Sequence, residues 1–206
     1  MSGVRRSFVS LAVALASIAP PQVAAQLEIS PALGIYMPLG ALIKDDLASG
    51  GEVRKQLGAP LIAFRLTAWP RARVRLEGSV AFSPSQVAVS RSGSTADFAS
   101  GVMLASARAV VAIGSRTATW AFHAGAGLGV VSRGGSAWAN TRGTTTPAAL
   151  LAAGARTGVS RTPVAIRLEL EDYVASAQFD RGLPTETRAR IHHDLLCSLG
   201  VSVPVF

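Results

Sequence analysis

The sequence predicts an all-β chain: eight antiparallel strands in up-and-down order, closed into a transmembrane β-barrel and preceded by a cleavable signal peptide. Three observations carry this. Apolar and polar residues alternate with period two through most of the chain, tight and long connections between these segments themselves alternate, and the charges within the segments share one face.

Residues 1–25 come first. Arg5 and Arg6 precede an apolar run from Phe8 to about Ala19, then Pro20-Pro21 and Val23-Ala24-Ala25 before Gln26, the n-, h- and c-regions of a secretory leader. The run is about a dozen residues, too few to cross a hydrocarbon core of about 30 Å as a helix. The expected organisation is a signal peptide over 1–25 and one β-barrel domain over 26–206.

Period-two segments follow at 27–37, 59–69, 73–83, 98–113, 117–132, 148–159, 163–174 and 188–205. Residues 164–174 show the pattern best: Val164, Ile166, Leu168, Leu170 and Val174 on one side, Arg167, Glu169, Glu171 and Tyr173 on the other. The second segment sets Ile62, Phe64, Leu66 and Ala68 against Arg65 and Thr67, and the third sets Val74, Leu76, Val80 and Phe82 against Arg73, Arg75 and Glu77. Arg108 stands on the polar parity of the fourth segment, His123 on that of the fifth, and Arg190, His192 and Asp194 on that of the eighth.

Three connections are tight: 70–72, 114–116 and 160–162. Four are long: 38–58, 84–97, 133–147 and 175–187, rich in Gly, Ser and Thr. Strict alternation places every long loop at one end of a barrel, and the tight turns with both termini at the other. The first long loop, with Lys44, Asp45, Asp46, Glu52, Arg54 and Lys55, is the most charged and reads as a solvated loop.

Charge decides which face turns inward. The polar parity carries Glu28, Arg65, Arg73, Arg75, Glu77, Arg108, Arg156, Arg167, Glu169, Glu171, Arg190 and Asp194. Each arginine at mid-depth against lipid would cost roughly 2–4 kcal/mol, and several together would exceed a folding free energy of about 5–15 kcal/mol. They must face the lumen, which in an eight-stranded barrel is only wide enough for side chains. The expected interior is a charge network of Arg65, Arg75, Glu77, Arg108, His123, Arg156, Arg167, Glu169, Glu171, Arg190, His192 and Asp194, in place of a water channel.

Composition narrows the function. The 206 residues are 49% hydrophobic and 16% charged, with a formal charge of +8 that falls to +6 without Arg5 and Arg6. The arginines are scattered singly and form no polybasic run, so no nucleic-acid partner is expected. One cysteine, Cys197, excludes an internal disulfide framework and takes the oily parity as a small filler.

No motif implies catalysis, a metal or a cofactor. His192 and His193 are adjacent and so face opposite sides of a strand, unable to share a metal. Gly125-Ala-Gly-Leu-Gly129 lacks the helix that a phosphate-cradling loop requires and reads as room made inside a narrow barrel. Glu169 and Glu171 stand two apart on one face, but the interleaved arginines favour a salt-bridged plug over an acid–base pair.

With eight strands, a leader, Arg167-Leu-Glu-Leu-Glu-Asp-Tyr173 in the penultimate strand and a last strand running to Phe206, the chain resembles the small bacterial outer-membrane β-barrel domain proteins of the outer-membrane protein A/W-like superfamily. The resemblance implies outer-membrane localisation with periplasmic termini, outer-membrane lipid as the surrounding partner, and Phe206 as the signal read by the barrel-assembly machinery. Phe206 falls on the lumenal register and Pro204 interrupts the ladder before it, a departure from the usual ending.

The function expected is a non-enzymatic envelope anchor that displays four extracellular loops of unknown partner. Two alternatives stand beside it. A lipid-modifying enzyme would need a His, Ser and carboxylate at the lipid-facing rim, and no His-x-Ser pair stands there. A secreted soluble barrel for an apolar ligand would reverse the two faces.

Overall fold

The computed structural model describes residues 27–44, 52–68, 73–91, 93–113, 119–179 and 190–205. The leader, the tight turns at 70–72 and 114–116, and Phe206 lie outside the described residues.

The strands are β1 (Leu27–Leu39), β2 (Ile43–Lys44), β3 (Glu52–Gln56), β4 (Ala59–Ala68), β5 (Val74–Arg91), β6 (Ser94–Ile113), β7 (Trp120–Gly134), β8 (Thr145–Gly158), β9 (Ala165–Ala177) and β10 (Arg190–Pro204). All pairings are antiparallel. β1 pairs with β4 on one side and β10 on the other, and the β5–β6 pairing returns the sheet on itself. Closure leaves the wall without an open edge, the condition for a sheet to sit in hydrocarbon.

Ten segments make an eight-stranded wall because β3 and β4 are one strand broken at Leu57–Gly58. From Gln56↔Val87 to Ile62↔Phe82, six residues advance on one side against five on β5, the offset of a β-bulge. At the break Leu57 N donates to Gln86 O at 2.8 Å, which keeps the two pieces on the same neighbour. β2 is a two-residue piece paired with β3.

Two long connections are therefore shorter than the sequence predicts. Residues 84–97 do not form a loop: β5 and β6 pair continuously out to Arg91↔Ser94, with Gly93 at φ 87° in the reversal. Part of 38–58 is also strand. The serines and threonines there read as loop chemistry, yet a ladder with its partner strand already in register accepts them. Ser90 and Thr95, for example, bond side chain to side chain across the hairpin at 2.9 Å.

Outside, the wall is apolar. Leu33, Ile35, Ile62, Phe64, Leu66, Met103, Phe122, Leu128, Leu151, Leu168, Leu170 and Leu199 are all exposed, a continuous surface far larger than a water-facing protein leaves open. Trp120 is exposed at the turn end.

Candidate functional site

The polar parity lines the lumen, and the residues sort into tiers along the barrel axis. The tier nearest the tight turns is ionic. Arg65, Arg75, Glu77, Arg108, Arg167, Glu169, Glu171 and His123 are buried, each at most 3% exposed. Arg108 of β6 sits at the centre: Nη2 lies 2.8 Å from Glu77 Oε2 and 2.9 Å from Glu169 Oε1, and Nη1 donates to Glu171 Oε1 at 2.9 Å. Arg167 donates from Nη2 to Glu77 Oε2 at 2.8 Å and from Nε to Glu169 Oε2 at 2.5 Å. Arg65 donates to Glu171 Oε1 at 3.0 Å and to Ser198 Oγ at 2.8 Å. Three guanidiniums thus meet three carboxylates, the arrangement that makes ion burial tolerable, and Arg75 adds a fourth buried guanidinium to the tier.

His123 Nε2 lies 3.0 Å from Glu169 Oε2 and 3.2 Å from Arg167 Nη2, serving the first as donor or the second as acceptor. Nearer the turns, Arg156 is half-buried and pairs with Glu28 at 2.9 Å.

Glycines on the facing strands make room for these side chains. A Cβ on Gly154 would stand 2.6 Å from His123 Nε2, and one on Gly129 would stand 2.8 Å from the Tyr173 ring. The Gly125–Gly129 run is a spacing device on β7 and follows no phosphate-binding turn.

The middle tier is apolar: Tyr36, Leu61, Ala81, Val102, Leu104, Val131, Ala148, Leu150, Tyr173, Ala175 and Leu196 pack as one cluster. Sequence reasoning missed it. The inward leucines and valines sit on the polar parity of their strands, and the reading weighted that parity by its charges. Where Tyr36 and Leu196 pair across β1 and β10, the Tyr36 hydroxyl donates to Asp194 at 2.5 Å, and Arg133 Nη2 donates to the other oxygen at 2.6 Å.

The third tier closes the loop end with Leu42, Ile43, Val87, Ala137, Trp138, Ala177 and Phe179. Trp138, in a short 3-10 turn at Ser136–Trp138, donates Nε1–H to Ser100 Oγ at 3.0 Å and packs on Phe179 at 5.0 Å between centroids. Phe179 in turn lies 6.1 Å from His192, which is buried. Gln56 donates to Ser85 Oγ at 2.9 Å beside them. Glu52, read as a loop residue, is buried and pairs with Arg54 and Arg91.

Two corrections follow for the interior. Arg190, expected inside, is exposed at the loop-end start of β10, and Arg73, on the same predicted face, is exposed just before β5. Both fall where a strand leaves the barrel, so parity no longer dictates burial. Arg133 takes an inward place that the sequence assigned to a loop, because β7 continues to Gly134.

Two ionisable residues lie on the other face. Asp172 of β9 and His193 of β10 point outward, with Nδ1 and Oδ2 2.9 Å apart. His193 is the neighbour of His192 that the alternation sends to the outer wall, while Asp172 occupies a position between Leu170 and Val174 that apolar residues were expected to fill. Among the described residues, no group of three or more His, Cys, Asp or Glu is placed to hold a metal.

No family model matches the chain, and no curated protein matches it in sequence. Solved structures do. The chain is similar to outer membrane protein OprG from Pseudomonas aeruginosa, at 8% identity and a TM-score of 0.61 over 87% of this chain and 95% of that one. It is similar to AlkL, an outer membrane protein determined in lipid bilayers, at 12% identity and a TM-score of 0.59 over 87% and 90%. It is also similar to the E. coli outer membrane protein W, at 12% identity and a TM-score of 0.53 over 88% and 98%. At these identities the likeness is one of fold, and it extends over nearly the whole of each barrel.

Proposed function

We propose that this chain, folded as a small outer-membrane β-barrel, is an outer-membrane anchor with a sealed lumen, its termini in the periplasm and its long connections outside. The observation that carries this is the filling of the interior: interlocked ions near the turns, a packed apolar tier above them and an aromatic lid at the loop end. Side chains that crowd the bore and bond one another, among the described residues, support a lumen without an open aqueous path.

The exposed apolar wall supports the membrane assignment over the soluble alternative, in which the same leucines would meet water. The lumenal groups contribute no reaction centre in this reading. Glu169 and Glu171 are committed to arginines, and His123 is locked between Glu169 and Arg167. Outer-membrane lipid is the surrounding partner, and the barrel-assembly machinery inserts the chain. Whatever the protein recognises meets the protruding β5–β6 hairpin and its neighbouring loops.

Fractionation tests the location: the product is expected in the outer membrane, with different gel mobility before and after heating, and a freely soluble product overturns it. Planar-bilayer recording of the purified barrel tests the lumen. Steady current at the bare-membrane level is expected, and large discrete openings overturn the sealed reading.

A further inference from the structure

The lumenal register of β3, β5 and β6 does not end at the aromatic lid. Arg54, Val89 and Ala96 stand side by side on it, and the next row toward the β5–β6 reversal is Glu52, Arg91 and Ser94. Lower on β6 the same parity is fully buried at Val102 and Leu104, whereas Phe98 is 43% exposed and Ala96 and Ser94 are exposed with it. Between this face and the short turn at Ser136–Trp138 lies a cavity of about 240 Å³, with Ser136 and Ala137 on its far side. That is room for a ring-sized molecule, below the roughly 300–1,000 Å³ of common ligand pockets.

The charge of the lining is uneven. Glu52 is buried and pairs with both Arg54 and Arg91, while Arg54 Nη1 donates to the Ala137 carbonyl at 2.7 Å. Lys55 and Asp97 stand in the alternate row with Ala88 and so turn to the other face. Two guanidiniums therefore line the cavity against one carboxylate. Arg91 gives Glu52 its Nε and Nη2 edge, yet its side chain is still 63% exposed. A guanidinium carries five donors, so Glu52 fixes the two cations and leaves donors over for a further acceptor.

We propose that this cavity binds a small organic anion, its carboxylate on Arg91 and Arg54 and its apolar body against Phe98, Val89 and Ala96. The proposal names the ligand class of the hairpin to which recognition is assigned above, and rests on that reading. Guanidiniums already held by Glu52 and the Ala137 carbonyl lose little freedom when the anion arrives. Phe98 supplies a flat apolar face, and the excess positive charge disfavours an amine of the same shape.

The test titrates para-fluorobenzoate into the full barrel in phosphatidylcholine nanodiscs and follows its fluorine resonance. Saturable binding is expected at millimolar ligand, with para-fluorobenzylammonium left unbound. Arg91→Gln is expected to weaken binding roughly tenfold and Phe98→Ala about threefold. Arg73→Gln, at an exposed arginine of the turn end, leaves it unchanged. Heat-dependent gel mobility reports that each variant still folds.

A folded barrel that shows no saturable binding, binds the ammonium equally well, or is indifferent to Arg91→Gln overturns the proposal. Equal binding of inorganic phosphate with no response to Phe98→Ala also overturns it, since the apolar body then contributes nothing. Loss of binding when phosphatidylglycerol replaces phosphatidylcholine overturns it too, and assigns the arginines to a lipid head group. The titration reads the purified barrel, so a negative result leaves the fractionation and bilayer tests above standing.

Discussion

Replacing Arg108 with methionine tests whether the ionic tier holds the barrel together. The side chain is buried, and its two terminal nitrogens reach Glu77, Glu169 and Glu171, all within 2.9 Å. Methionine fills a similar volume but removes the charge, so of the three guanidiniums that bridge these carboxylates only Arg65 and Arg167 remain. Glu77 and Glu169 keep Arg167 and Glu171 keeps Arg65, so no carboxylate is stranded alone. Each of the three nonetheless loses a charge-assisted bond away from water, with no solvent to replace it. Breaking a buried pair from one side costs about 3–5 kcal/mol. With a slope of about 2 kcal/mol per molar in urea, the unfolding midpoint in lipid vesicles falls by about 2 M. Adding Glu171→Gln removes one of the carboxylates that Arg108 served and recovers part of the loss, a positive coupling because the two residues are in contact. Urea titration followed by tryptophan fluorescence and heat-dependent mobility measures it. A loss below about 1 kcal/mol for Arg108→Met, or strict additivity with Glu171→Gln, would refute the reasoning.

Tyr36→Phe removes one of two donors to the buried Asp194 and is expected to destabilise by about 1.5–3 kcal/mol in the same titration. Gly154→Val places a branched side chain against His123 and the Leu168 carbonyl, and the yield of heat-modifiable barrel in refolding is expected to drop sharply. Leu168→Arg puts a charge on the outer wall at an expected cost of about 2–4 kcal/mol; a neutral outcome would mean that this face does not meet hydrocarbon. Trp138→Ala empties the centre of the loop-end lid, and limited proteolysis is expected to cut faster around residues 136–138 with the barrel intact.

Alternation alone placed most of the chain. Because the side-chain period of a strand is two, one charged residue fixes the orientation of its whole segment, and Arg65, Arg75, Glu77, Arg108, Arg167, Glu169 and Asp194 needed nothing more to be assigned to the interior. The sequence also determined the succession of the eight wall strands, and with it the up-and-down topology, but not the lengths of the connections between them. It did not determine which carboxylate each arginine meets, since Arg108 reaches Glu77 only 31 positions away but Glu171 across 63, and such partners are set by which strands curl opposite one another.

Strand ends were the other thing that only the tertiary structure decided. Ser, Gly and Thr favour turns in isolation, but a neighbouring strand already in register supplies backbone partners that override that preference, which is how 84–97 became ladder. The same ladder drew Arg133 inward and left Arg190 outside. Closure of the sheet also brought Asp172 and His193, unremarkable as separate letters in two strands, to one point on the outer wall. A linear pattern specifies faces and periods; which residues meet across strands depends on the register and curvature of the closed sheet.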